Sequence, residues 1–184
     1  MRIAALGVSL AVLVGAASCS GDTSSTQALV PLLLKDAEVI GVVPELNAST
    51  DYSTGADYGT IANDEFSGPI KKAIAAVVRQ WSREAGATNE GHAWSVVSAV
   101  TKFASAADAQ AAAEALLNSL PSGTVSIAVA GTRGGVTPSV DGLSSGDAVT
   151  TLDSVLVSLH VLFVGQGDRS TFSQLAELVA QRVR

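Results

Sequence analysis

The chain has 184 residues, 47% hydrophobic and 15% charged, which supplies enough apolar surface for a packed core and argues against wholesale disorder. Eleven basic residues against 17 acidic ones leave a net charge of −6, a poor match for the phosphates of nucleic acid. Aromatic residues are only 4%, so the core must be built from Val, Leu, Ile and Ala rather than from large stacking platforms.

Residues 1–18 carry one positive side chain, Arg2, and then the uncharged run IAALGVSLAVLVGAAS. The run is short for a membrane span and ends in small residues, which is the pattern of a signal peptide and is left out of the fold. The single cysteine, Cys19, follows directly. Ala16-Ala17-Ser18-Cys19 resembles a bacterial lipobox, in which the signal is cut before the cysteine and the thiol is diacylated. It departs from that pattern at Ala16, where Leu is preferred. The alternative is an ordinary secretory signal cut nearby, leaving a free thiol, which is awkward for a secreted protein with one odd cysteine. The resemblance implies a lipid anchor on Cys19, the membrane as partner, and a cell-membrane location on the extracytoplasmic face. Each buried acyl methylene contributes ~0.8 kcal/mol, so two or more chains hold stably. The small polar residues to position 27 read as a flexible tether, leaving 28–184 as a single domain.

Within that domain, residues 29–46 read as a short helix with Pro31 in its first turn and Gly41 and Pro44 as stops. Residues 47–68 are polar and turn-rich, with Asp51, Asp57, Asp64, Glu65, Tyr52 and Tyr58, and read as a surface loop. In 69–86, Ile70, Ile74, Val77, Val78 and Trp81 fit helical spacing between Pro69 and Gly86, with a strand over 74–81 as the alternative. Residues 92–103 predict a strand buried on much of both faces. Residues 105–120 predict a helix, with Ser105 and Asp108 as a capping box and an apolar stripe through Ala109, Ala112, Ala113, Leu116, Leu117 and Leu120.

Residues 124–131 alternate as a strand, TRGG at 132–135 reads as a turn, and 136–147 as a loop. Residues 148–165 are long for one strand, so either two strands or a bend near Asp153-Ser154 is expected. Val155, Val157, Leu159, Val161 and Phe163 form one period-two face, opposite a mixed face that includes Ser158 and His160. The chain closes with a helix predicted to be capped by Thr171 with Gln174, its core stripe running from Phe172 to Val183 and its dipole complemented by Arg182 and Arg184. The order of elements predicts an α+β fold: an antiparallel sheet of about four to five strands with amphipathic helices packed on one face.

The stretches VVSAVTKFASAADAQAAAEALL and VLFVGQGD followed by LAELVAQRVR resemble actinobacterial envelope lipoproteins, and the extracellular sensor domain of PknH-type mycobacterial serine/threonine kinases. The resemblance spans residues 28 to 184 and implies an antiparallel sheet and helices forming a cleft for a ligand. It carries over no site residues. The absence of any cysteine after Cys19 rules out the disulfides of the kinase sensors, and the chain has no kinase domain.

Chemistry-bearing patterns are few. There is no nucleophile elbow, P-loop or paired-histidine zinc helix. His92 and His160 lie far apart in sequence, and a satisfied histidine is the simpler reading of each. GQGDRST at 165–171 offers helix-start amides to an anion, but an ordinary capped turn explains it equally. The acidic residues at 51, 57, 64 and 65 fit no defined calcium loop. No catalytic residue, cofactor or metal is expected. Trp81, Trp94 and His160 are the candidates for cleft or ligand contacts, with a place in the core as the alternative for either tryptophan. These readings point to a lipid-anchored binding or sensing module for a small or apolar ligand. The alternative is a structural lipoprotein that docks on an envelope protein or cell-wall polymer, and an enzyme ranks third.

Overall fold

The computed structural model describes residues 26–46, 49–54, 73–83 and 90–184. The expected signal peptide, Cys19, most of the tether, and the acidic residues Asp57, Asp64 and Glu65 lie outside the described residues. Among the described residues, seven strands are present: β1 (Thr50–Thr54), β2 (Ala73–Ser82), β3 (Ala93–Phe103), β4 (Val125–Ser126), β5 (Arg133–Val136), β6 (Leu143–Leu152) and β7 (Val155–Val164). A 3₁₀ turn (Val30–Leu32) and three helices, α1 (Asp36–Val42), α2 (Ala106–Asn118) and α3 (Arg169–Gln181), complete them. The strands form one sheet in the order β1-β2-β3-β7-β6-β5-β4. All neighbouring pairs are antiparallel.

The antiparallel α+β class agrees with the sequence, but the sheet has seven strands instead of four to five, and helices cover both faces. On one face, Val77, Trp81, Val96, Val100, Leu159 and Phe163 meet Leu34 and Val39 from the N-terminal segment and Phe172, Leu175 and Val179 from α3. On the other, Phe103, Val149 and Leu156 meet the alanines Ala109, Ala112 and Ala113 of α2, whose small side chains let the helix lie close to the sheet. The two clusters draw on alternating residues of the same strands, as strand geometry requires.

Residues 73–82 form a strand, so the helix expected over 69–86 is corrected in favour of its alternative. An inner strand buries both faces, and its continuous apolar run satisfies helical spacing by coincidence. The β-branched Ile74, Val77 and Val78 favour the strand. The polar loop expected over 47–68 is corrected at its start. Thr50–Thr54 pair with β2, Tyr52 opposite Val78, because β2 presents a free ladder edge that side-chain polarity does not veto. The expected TRGG turn is instead strand β5: its glycines serve close approach, since a Cβ at Gly135 would lie 2.6 Å from the Val125 carbonyl oxygen. The loop expected over 136–147 ends earlier, at Gly142, whose φ of +79° follows Asp141 at +52° and turns the chain into β6.

The break at Asp153-Ser154 is present: Asp153 takes φ +50° and joins β6 to β7 with Leu152 opposite Val155. The short helix expected over 29–46 divides into the 3₁₀ turn and α1, with Leu34 between them. The Leu34 N–H donates to Ser98 Oγ at 3.2 Å and its carbonyl accepts from Arg79 Nη1 at 3.1 Å, so a main chain without helical partners is satisfied by the sheet beneath it. At the start of α2, Ser105 Oγ accepts from the Asp108 N–H at 3.1 Å, while its hydroxyl donates to the Asp108 carboxylate at 2.7 Å. α3 is capped by Asp168 and not by Thr171, a correction set by reach: the Asp168 carboxylate accepts from the N–H groups of Ser170 at 2.9 Å and Thr171 at 3.2 Å. Arg182 pairs with Glu38 and so ties the end of α3 to α1.

Candidate functional site

The apolar stripe of α2 runs past the sheet residues that cover it. Ala109, Ala112 and Ala113 are buried, but Leu116, Leu117 and Leu120 are only partly so. Where the helix ends, these leucines and Pro121 stand over the β6–β7 hairpin and enclose a cleft of about 220 Å³. The floor is the mixed face of that hairpin: Ser145, Asp147 and Val149 from β6, with Ser158 and His160 from β7. That volume lies below the range of drug-sized pockets and suits a ligand of a few heavy atoms.

The polar groups on the floor form a connected chain. His160 Nδ1 lies 2.7 Å from Asp147 Oδ1, and Ser145 Oγ donates to Asp147 Oδ2 at 3.0 Å. The Ser145 N–H in turn donates to Thr137 Oγ1 at 2.9 Å. Both carboxylate oxygens are therefore engaged, and an ionised carboxylate only accepts, so Nδ1 carries the proton and the ring orientation is fixed. Asp147 and His160 are about one-fifth and one-third exposed, respectively, which leaves the pair accessible from the cleft.

Of the residues singled out from sequence, His160 sits in this cleft and the two tryptophans do not. Trp81 is fully buried on the opposite face of the sheet, its Nε1–H donating to Asp36 Oδ1 at 2.9 Å. Trp94 is 44% exposed at the irregular start of β3, away from the cleft lining. The structure therefore does not gather the three into one site. Asp147 and Ser145 were missed because 136–147 reads as a loop. The signal was nevertheless present: once the turn is placed at Asp153-Ser154, counting five residues back from Leu152 and five forward from Val155 sets Asp147 opposite His160.

His92 lies at a second concavity. Its Nδ1 is 3.1 Å from Glu45 Oε1, which also lies 3.3 Å from Arg83 Nη2. A hydrogen bond from its own backbone amide holds the Glu45 carboxyl below its ordinary range against the opposing effect of burial, and the Arg83 charge and the His92 contact add to the lowering. The anion seat suggested by GQGDRST is occupied from within, since the Asp168 carboxylate takes the first amides of α3. Hydrogen bonds from the Thr171 hydroxyl and the two backbone amides, together with the His92 charge, hold Asp168 below its usual value. Among the described residues, no group of three or more His, Cys, Asp or Glu is placed to hold a metal ion, and no helix is long and apolar enough to cross a membrane.

No protein-family model matches the chain, and no curated protein matches it. Among solved structures, the fold is similar to the crystal structure of the extracellular domain of PknH from Mycobacterium tuberculosis, with a TM-score of 0.55 and 17% identity over 85% of this chain and 95% of that domain.

Proposed function

We propose that the chain is an extracytoplasmic binding or sensing module, held to the cell membrane by lipid on Cys19, with its ligand seat in the cleft between α2 and the β6–β7 hairpin. The observation that carries this reading is the convergence of Asp147, His160 and Ser145, hydrogen-bonded to one another, beneath an apolar wall of leucines. Similarity of fold to an extracellular kinase domain supports an extracytoplasmic setting. Binding is the reading favoured by the floor, whose hydrogen-bonded chain of Ser145, Asp147 and His160 fixes the orientation of the groups it presents. The partners on this reading are the membrane and a small ligand, with no cofactor.

The test is native mass spectrometry of the full chain released from its own host in mild detergent. A bound small molecule, lost when Leu120→Trp fills the cleft, is the expected result. A full chain that carries no small molecule, or one whose adduct survives Leu120→Trp unchanged, overturns the cleft as the seat.

A second reading, docking on another envelope component, is favoured by exposed apolar residues at one end of the sheet. Val140 and Leu143 at the β5–β6 turn are 68% and 39% exposed, and Trp94 lies at the same end of β3. A pull-down in which Trp94→Ser with Val140→Ser releases a bound envelope protein would favour it.

A further inference from the structure

We infer that the cleft takes a small aliphatic amine: an organic cation whose ammonium meets Asp147 and whose short hydrocarbon lies against Leu116, Leu117 and Leu120. This rests on the reading of the cleft as the ligand seat.

Three independent features set the sign of the charge. Among the described residues, Asp147 is the one acidic side chain of the lining, and no Lys or Arg lines the cleft beside it. Among the described lining residues, its titratable companion is His160, whose Nδ1 meets one carboxylate oxygen and leaves the other to Ser145. The rim is the last turn of α2, the end at which a helix carries about half an elementary negative charge, and that turn contains no basic residue to offset it. The rest of the chain adds to the same sign, with a net charge of −6. A carboxylate or phosphate entering here would face Asp147 and the helix end, with no Lys or Arg among the described lining residues to receive it.

The hydrogen-bonding pattern agrees. Among the described residues, Asp147 Oδ2 accepts from the neutral hydroxyl of Ser145, at 3.0 Å, an interaction that an ammonium can replace with a stronger charge-assisted one. Ser145 and Ser158, whose hydroxyls can turn to accept, supply the remaining partners for a three-donor head. The side chains of Leu116, Leu117 and Leu120 supply no polar atom, which favours an apolar tail against them, and the volume of about 220 Å³ limits it to a short one.

The experiment compares three isosteric probes on the full chain in mild detergent: n-butylammonium, n-butanol and n-butyrate. The readout is the methyl NMR shifts of Leu116, Leu117 and Leu120 and the ring signals of His160. The expected result is saturable shifts with n-butylammonium, affinity for n-butanol weaker by about tenfold or more, and no saturation with n-butyrate. In Asp147→Asn, checked for an unchanged fold by the remaining methyl signals, the amine should lose its advantage over the alcohol. n-Butanol or n-butyrate binding as tightly as the amine overturns the cation assignment and leaves the cleft standing as a seat. No shift of the three leucines with any probe overturns both. The three-probe comparison is made on the unaltered chain and decides the matter even if Asp147→Asn does not fold.

Discussion

The indole of Trp81, on β2, donates its Nε1–H to Asp36 at the start of α1, 45 residues earlier in the chain, at 2.9 Å. Ser49 Oγ donates to the same carboxylate oxygen at 2.6 Å, so one acidic side chain joins α1, the approach to β1 and the core of the sheet. Trp81 is a fully buried side chain, whereas Trp94 is 44% exposed. Replacing Trp81 by Phe keeps a ring in the core but removes the N–H and some volume, and is expected to cost about 1–3 kcal/mol in urea unfolding. Trp94→Phe is expected to stay within about 0.5 kcal/mol. The emission of the Trp94→Phe protein, reporting Trp81 alone, should resist acrylamide. Equal costs, or equal quenching of the two single-tryptophan proteins, would contradict the arrangement.

Asp168 caps α3, and its carboxyl is held below the ordinary value of 3.8, first by the Thr171 hydroxyl and then by the Ser170 and Thr171 amides. Asp168→Ala is expected to lower stability by about 1 kcal/mol at neutral pH. A depressed folded value means that the contribution of the charge is complete above the unfolded value of about 4 and is lost as the pH falls through the folded one. Because the group is exposed, this charge-dependent part is small. Unfolding curves of the two proteins should therefore draw closer below pH ~4. A gap that widens on acidification would reverse the assignment.

Gly146 lies on β6 beneath α3, and a Cβ there would come within 2.5 Å of the Phe172 ring. Gly146→Ala is expected to cost about 1–3 kcal/mol by overpacking. In a Phe172→Leu background the same change should cost less, by a coupling of about 0.5–3 kcal/mol in a double-mutant cycle. Strict additivity of the two substitutions would show that the contact is not the cause.

Cys19→Ala in the full chain is expected to move the protein from the membrane fraction to the soluble extracytoplasmic fraction. The intact mass of the unaltered protein should exceed the polypeptide mass by the acyl groups. An unaltered protein without acyl mass, or a Cys19→Ala protein that stays in the membrane, would remove lipid from the account.

The clearest elements in the sequence were those whose local signals agreed. α2 has a cap, a stripe and a stop in register, and β3 and β7 carry strong strand patterning. β2 was ambiguous because burial on both faces erases the period that tells strand from helix. β5 was hidden by glycines whose role is to admit a neighbouring backbone, as at Gly135 and the Val125 carbonyl. Half of the candidate site was legible: His160 stood out on a mixed face, but its partner Asp147 lay in a segment whose polarity read as loop. The apolar body and polar handle of a tryptophan suit core and cleft alike, and burial decides that Trp81 is core.

The sequence by itself determined the antiparallel α+β class, the amphipathic faces of α2 and α3, and a break of some kind near Asp153-Ser154. Caps, periodicity and turn chemistry are local, and each is written within about a dozen residues. Only the tertiary structure decided that helices cover both faces of a seven-stranded sheet, and that α2 ends over the β6–β7 hairpin to make a cleft. Those outcomes depend on which ladder edges and which apolar faces meet, and such contacts join residues far apart in the chain that no local pattern records.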